Sequence, residues 1–278
     1  MQLFPIETGY FKLDGGAMFG VVPKTIWNRS NPADENNLCT FAMRSLLIQQ
    51  GNRLILIDTG IGNKQSEKFF SYYYLHGEAT LMNSIRKAGF HPDEITDVVL
   101  THLHFDHVGG GIYRADNGEL KTTFKNAKYW SNAEHWQWAT EPNAREKASF
   151  LTENILPLEA SGQLHFVKQG NELGEDISFL LVNGHTESQM IPHIQYKGKT
   201  LVFMADLLPS AGHLPLPYVM GYDTRPLLTL GEKEKFLNQA IKEDFVLFMQ
   251  HDSVNQCINL KQTDKGPRLQ ESFTLNDF

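Results

Sequence analysis

With 278 residues, 41% of them hydrophobic, the chain can bury a substantial core, and sheet-based folds of this length commonly form one unit. Lysine and arginine total 25 against 32 acidic residues, a formal net charge of −7, and no basic stripe is interleaved with aromatics, so nucleic acid is a poor partner. No apolar run approaches the length of a membrane span, and Met1-Gln2-Leu3-Phe4-Pro5-Ile6-Glu7 lacks a basic stretch followed by an apolar one, so neither a membrane nor export is expected.

In chain order, Leu38 to Gln49 and Arg53 to Asp58 read as strands joined by a hairpin turn at Gln50-Gly51-Asn52. Leu54-Ile55-Leu56-Ile57 is apolar on both faces, as in a strand buried within a sheet, and Asp58-Thr59-Gly60 ends it. Glu78 to Ala88 carries Leu81, Ile85 and Ala88 at helical spacing, with Gly89 as its stop. Asp97 to Thr101 returns as a buried strand. A tryptophan-rich region follows, with a strand at Ala127 to Trp130 and helices expected over Ser131 to Thr140 and Asn143 to Leu156. Gln163 to Gln169, Ile177 to Val182, Met190 to Tyr196 and Thr200 to Met204 alternate with turn signals and suggest a second sheet. Arg225 to Lys242 reads as a long helix and Phe245 to Met249 as a closing buried strand. No repeat, low-complexity tract or linker interrupts the pattern, so residues 1–278 are expected to form a single domain. Strand-rich halves that each end in helices, without strict βαβ alternation, predict an α+β fold: two sheets face to face with helices outside, a four-layer αββα sandwich.

Chemistry concentrates after Val98-Val99-Leu100, where Thr101-His102-Leu103-His104-Phe105-Asp106-His107 places three imidazoles and a carboxylate within six residues. On a strand end His102 and His104 project the same way and can grip one cation, while Asp106 and His107 follow where the chain turns and can aim at a second. Imidazole and carboxylate donors suit zinc. One loop cannot close two sites, and three further donors stand just past apolar runs: His185, Asp206 and His251. His193 and His213 are their substitutes. His76, His91, His135 and His165 have no partners at ligand spacing. Cys39 and Cys257 form no CxxC pair and read as ordinary thiols of a reducing, cytoplasmic compartment.

From the Ile57-Asp58-Thr59-Gly60 turn to His251 this pattern resembles the metallo-β-lactamase superfamily. The resemblance implies one zinc held by His102, His104 and His185, a second held by Asp106, His107 and His251, Asp206 bridging the two, and Asp58 steadying the loop from outside. One segment departs: the family often has His-Thr-Pro-Gly-His where this chain has His185-Thr186-Glu187-Ser188-Gln189. Gly15 to Lys24 and the His102 to His107 loop look most like the lactonase branch, which includes quorum-quenching acyl-homoserine lactonases and methyl parathion hydrolases. Some lactonases carry a tyrosine three places after the bridging aspartate. Pro209 stands there, which leaves Tyr218 or Tyr222 as substitutes.

The resemblance therefore implies a dinuclear zinc-dependent hydrolase in which a metal-bound hydroxide, oriented by Asp106, attacks the carbonyl of a small lactone or ester. Phosphotriester hydrolysis on the same site is the second reading, and a metal-binding scaffold without turnover the third. A homodimer is expected at the family level only. Met18, Phe19, Trp27, Trp136 and Trp138 are candidates either for an apolar substrate pocket or for core packing.

Overall fold

The computed structural model describes residues 1–278, which divide into two units: Met1–Gly9 with Met43–Glu172, and Tyr10–Ala42 with Leu173–Phe278. Strands β1 (Gln2–Asp14) and β2 (Leu38–Gln50) run through the boundary, with short helices α1 (Gly15–Phe19) and α2 (Lys24–Trp27) between them in the chain.

In the first unit β3 (Arg53–Ile57) returns antiparallel from β2 across Gly51 and Asn52, with Gln50 opposite Arg53. Gly51 takes φ 59°, the left-handed conformation that so tight a turn requires. Then follow α3 (Glu67–Ser71), α4 (Leu81–Lys87), β4 (Asp97–Val99), α5 (Phe105–Val108), β5 (Ile112–Arg114), β6 (Leu120–Thr122), β7 (Lys128–Ser131), α6 (Ala133–Thr140), α7 (Thr152–Ala160) and β8 (Leu164–Phe166). One sheet has the order β1-β2-β3-β4-β7-β8, and β5 and β6 pair as a separate ribbon. Leu54, Leu56, Val98 and Tyr129 of the sheet pack with Leu81 and Ile85 of α4, Trp136 of α6 and Leu158 of α7 in one buried cluster. Each such aliphatic side chain contributes about 1.5–3 kcal/mol when fully buried. Helix α4 shows the local logic: Leu81 and Ile85 lie one turn apart on its inner face, and Thr80 caps it by accepting the Asn83 N–H at 3.3 Å.

The second unit holds the strands β9 (Ile177–Val182), β10 (Gln189–Tyr196), β11 (Lys199–Phe203), β12 (Val246–Phe248), β13 (Cys257–Thr263) and β14 (Gly266–Phe273), with α8 (Pro226–Lys242) between β11 and β12. They form a second six-stranded sheet in the order β14-β13-β12-β11-β10-β9. Helix α8 starts with proline at its first position and buries Thr229, Lys233, Phe236, Leu237 and Ala240, a stripe at helical spacing. No helix is long and apolar enough to cross a membrane.

Strand direction decides where loops can converge. In the first sheet β3, β4, β7 and β8 are mutually parallel, so the loops leaving β3 and β4 and the turn into α6 all emerge at one edge. In the second, β11 is parallel to β12 and β9 is antiparallel to β10, itself antiparallel to β11, so β9, β11 and β12 also end together. Ligand sites favour the carboxyl ends of such strands.

The α+β reading holds, with three differences in detail. Gln163 to Gln169, expected in the second sheet, supplies β8 instead, which pairs parallel with β7 at the edge of the first sheet. The helix expected over Asn143 to Leu156 begins only at Thr152. Asn143 Oδ1 accepts the N–H groups of Arg145 and Glu146 at 2.9 and 3.1 Å and so caps a short turn, which the extended backbone of Leu151 ends before α7 begins. Strands β1, β5, β6, β13 and β14 were not read from the sequence; β1 and β14 are outermost in their sheets, and their half-buried residues follow no strict alternation.

Candidate metal centre

In the first unit β3 ends at Asp58, whose side chain is wholly buried and whose backbone is held at φ 57°. Its Oδ1 accepts the Thr101 N–H at 2.8 Å, and its Oδ2 accepts the Thr101 hydroxyl at 2.8 Å and the His107 Nδ1–H at 2.9 Å. The Thr101 oxygen lies 3.1 Å from His102 Nδ1 and, with its proton committed to Asp58, accepts from that ring. One carboxylate thus sets two imidazoles, His107 directly and His102 through a hydroxyl, and leaves each Nε2 with its lone pair. His102 Nε2 then faces His104 Nδ1 at 3.1 Å. His107 Nε2 lies 3.6 Å from Asp106 Oδ2.

The loop is braced from beneath. Leu103 N–H donates to His135 Nε2 at 2.8 Å, and the Lys64 ammonium donates to the Gly109 carbonyl at 2.5 Å. Burial pushes the Lys64 pKa down to about 8. The glycines after the motif are steric requirements: a Cβ on Gly109 would lie 2.1 Å from the Ile61 carbonyl oxygen, and one on Gly110 would lie 2.2 Å from that of Thr59.

In the second unit the residues past β9, β11 and β12 meet. Asp206, turned inward after Ala205 at φ 41°, sets Oδ2 3.0 Å from His185 Nε2 and Oδ1 3.0 Å from His251 Nε2. Each oxygen of this carboxylate thus faces an imidazole nitrogen. Both rings are tied at the far side, His185 Nδ1 to Asp223 Oδ1 at 3.0 Å and His251 Nδ1 to the Ala42 carbonyl at 2.8 Å. Burial opposes a charge on His185, but Asp206 and Asp223 outweigh it and push the ring's pKa up to about 10. The second unit's carboxylates therefore call for a positive charge beside them, a proton if no cation is present.

These donors fit divalent metal. A tetrahedral zinc with Zn–N near 2.0–2.1 Å separates its donors by roughly 3.3 Å, close to the His102–His104 spacing, and two imidazole lone pairs this near repel unless something positive lies between them. Within the first unit, His102 with His104, and Asp106 with His107, are ligand groups within 4.8 Å of one another; within the second, so are His185 and Asp206.

His102, His104, His185, Asp206 and His251 follow strand ends, Asp106 and His107 lie in α5 just beyond one, and all seven are buried; the substitutes stand elsewhere, His193 within β10 and His213 in a short turn. His193 is packed between Phe236 and Phe245, and His213 stacks on Phe19 at 4.3 Å, which in turn stacks on Trp27 at 5.2 Å. Met18, Phe19, Trp27 and Trp136 are buried as packing, and Trp138 donates its indole N–H to Glu146. Sequence reasoning missed Asp223 and Thr101, which bond to the outer nitrogens of His185 and His102, and His135, which accepts the Leu103 N–H of the loop. Only Thr101 carried a signal, by adjoining the motif.

Residues 44–251 match the Metallo-beta-lactamase superfamily. Along 98% of its length the chain resembles a probable metal-dependent hydrolase from Staphylococcus aureus, at 28% identity, 96% coverage of that chain and a TM-score of 0.89. The dizinc quorum-quenching lactonase AidC, solved with a product, superposes at a TM-score of 0.80 and 24% identity over 98% of this chain and 95% of its own. An N-acyl homoserine lactonase of Bacillus cereus is 22% identical over 232 residues, 78% of this chain and 83% of that one. With the match covering three quarters of its length, the chain belongs to the metallo-β-lactamase superfamily and is one of its hydrolases.

Proposed function

We propose that the His102, His104, Asp106 and His107 set of the first unit and the His185, Asp206 and His251 set of the second hold two zinc ions in common, within a single domain of residues 1–278, and that the enzyme opens small lactones. The observation that carries this reading is the state of the imidazoles: His102, His107, His185 and His251 each have the outer nitrogen tied off, which leaves the inner lone pair for a metal. The names of the relatives, N-acyl homoserine lactonases, support the lactone class over other esters.

When bound, the cations supply Lewis acidity and a nucleophile drawn from solvent at neutral pH. The protein's own groups supply position. Asp58 and Asp223 fix the tautomers of His107 and His185 before any substrate arrives, Asp206 sets the spacing of the donors, and an Asp106 oxygen accepts the nucleophile's proton and so holds its orientation. No serine or cysteine is required. Cys39 and Cys257 are both buried and form no disulfide, which supports a cytosolic setting.

The test is turnover of acyl-homoserine lactones, aryl esters and a nitrophenyl phosphotriester by zinc-reconstituted protein, with elemental analysis alongside. The reading expects two zinc ions per chain, lactones as the best substrates, and loss of activity on chelation that zinc reverses. Undiminished lactone hydrolysis by metal-free protein overturns the mechanism. A preference for the phosphotriester moves the substrate class, and zinc binding without turnover leaves a scaffold.

A further inference from the structure

Asp58 and Thr101 account for His107 and His102 in the first unit's loop, and His104 faces a different group. Its Nε2 points to Oε1 of Glu146 at 3.5 Å, a carboxylate only 3% exposed in the segment between α6 and α7. The other carboxylate oxygen, Oε2, accepts the Trp138 indole N–H at 2.7 Å and the Asn143 amide at 2.6 Å. Asn143 is itself fixed by the N–H groups of Arg145 and Glu146. The same segment holds the metal loop at two more points: Phe105 N–H donates to the Ser149 carbonyl at 3.0 Å, and the Phe150 ring lies 4.7 Å from that of His104. A buried carboxylate is costly unless its oxygens are met. Two neutral donors take up Oε2, and Oε1 is aimed at the imidazole.

We propose that Glu146 is a positioning residue for His104. It accepts the Nε2–H, fixes the tautomer that leaves Nδ1 facing His102, and adds a negative charge behind the ring that strengthens its donor nitrogen. This assignment rests on the dinuclear reading above. It completes a pattern in which each ligand imidazole has a built acceptor at its outer nitrogen: Thr101 for His102, Glu146 for His104, Asp58 for His107, Asp223 for His185 and the Ala42 carbonyl for His251. It also gives the tryptophan-rich middle region a role, since Trp138 aims the carboxylate.

The experiment is stepwise cobalt titration of metal-stripped wild-type protein and Glu146→Gln against a competing chelator, followed through the visible absorption of bound cobalt, with thermal unfolding of both metal-free forms. Glu146→Gln is expected to weaken one of the two cobalt ions by about 10–100-fold, leave the other within about twofold, and shift the absorption band of the weakened site. The metal-free variant is expected to unfold as cooperatively as wild type. A folded variant that binds both ions within twofold of wild type overturns the assignment alone, whereas wild-type protein that takes up no cobalt overturns the dinuclear reading and this assignment with it. Should Glu146→Gln fail to fold, Trp138→Phe, which removes one of the donors aiming the carboxylate, is expected to weaken the same ion by about threefold or more. Two unchanged constants there are equally fatal.

Discussion

Replacing Asp58 by asparagine isolates what one buried charge does for the first unit's loop. The substitution keeps the side chain's shape but turns one acceptor into a donor. With its amide in the Oδ2 position, asparagine meets the His107 Nδ1–H head on; turned over, it meets the Thr101 N–H. Either way a buried donor loses its partner, at about 1–3 kcal/mol, and the surviving bonds fall from charge-assisted to neutral strength, about 1 kcal/mol each. The metal-free protein should therefore lose about 2–4 kcal/mol. His107 can escape the clash by moving its proton to Nε2, but that spends the lone pair a metal needs, so zinc affinity should also fall by about 10–100-fold. Urea unfolding of stripped protein measures the first effect, and competition against a chromophoric chelator the second. A variant that loses stability yet binds zinc as wild type does would show that Asp58 only packs the loop and does not set its imidazole.

Gly109→Ala places a methyl 2.1 Å from the Ile61 carbonyl oxygen, where backbone must move, and should cost more than about 3 kcal/mol or abolish folding; a wild-type urea midpoint would refute it. The buried Lys233 ammonium donates to the carbonyls of His213, Pro215 and Tyr218 at 3.0, 3.2 and 2.8 Å, so Lys233→Met strands three acceptors and should lose about 2–4 kcal/mol in the same assay, with no loss counting against the clamp. Burial pushes the His213 pKa down to about 4, and the neutral ring is bonded to Ser210 and to the Met18 carbonyl. The unfolded ring titrates near 6.5, so below that pH the unfolded chain binds the extra proton. Its stabilising contribution is full above pH 6.5 and lost as pH falls through about 4, at no more than about 1.4 kcal/mol per pH unit. His213→Asn should flatten that slope in urea midpoints taken from pH 7 to 4.5, and parallel slopes would refute the assignment.

The proposed donors His102, His185, Asp206 and His251 were legible as candidates because each is a polar residue one to three places past an apolar run, and His104, Asp106 and His107 because they crowd into the same short loop. The β2–β3 hairpin was legible for a similar reason, since Gly51 fits a turn that few other residues can make. What could not be read is the layer behind the ligands. Asp223 reaches His185 from 38 residues away and Glu146 reaches His104 from 42, each from a segment with no periodicity. The Asn143 to Leu156 stretch misled for a related reason: Asn143 caps a genuine turn, and the apolar pattern carries no trace of the extended Leu151 that breaks it before α7.

The departure after His185 shows how far turn chemistry can change while the histidine itself is kept. Where relatives often have proline and glycine, this chain has Glu187 and Ser188, and Ser188 takes φ 48°, a conformation that costs a side-chain-bearing residue about 1–2 kcal/mol. Polar contacts offset that cost. Asn183 Oδ1 accepts the Ser188 N–H at 2.8 Å, Arg225 joins the Asn183 carbonyl at 2.6 Å to the Glu187 carboxylate at 2.5 Å, and Glu232 accepts the N–H groups of Asn183 and Gly184. Arg225 and Glu232 belong to the start of α8, and a Cβ on Gly184 would lie 2.3 Å from the Thr229 backbone nitrogen, so that helix seats directly on the turn. A proline and glycine fix such a turn through their own dihedral preferences; here a neighbouring helix fixes it from outside. His185 is consequently held at its backbone by α8 and at its ring by Asp223, just before the same helix, which makes the entrance of α8 the element on which the second unit's donor geometry depends.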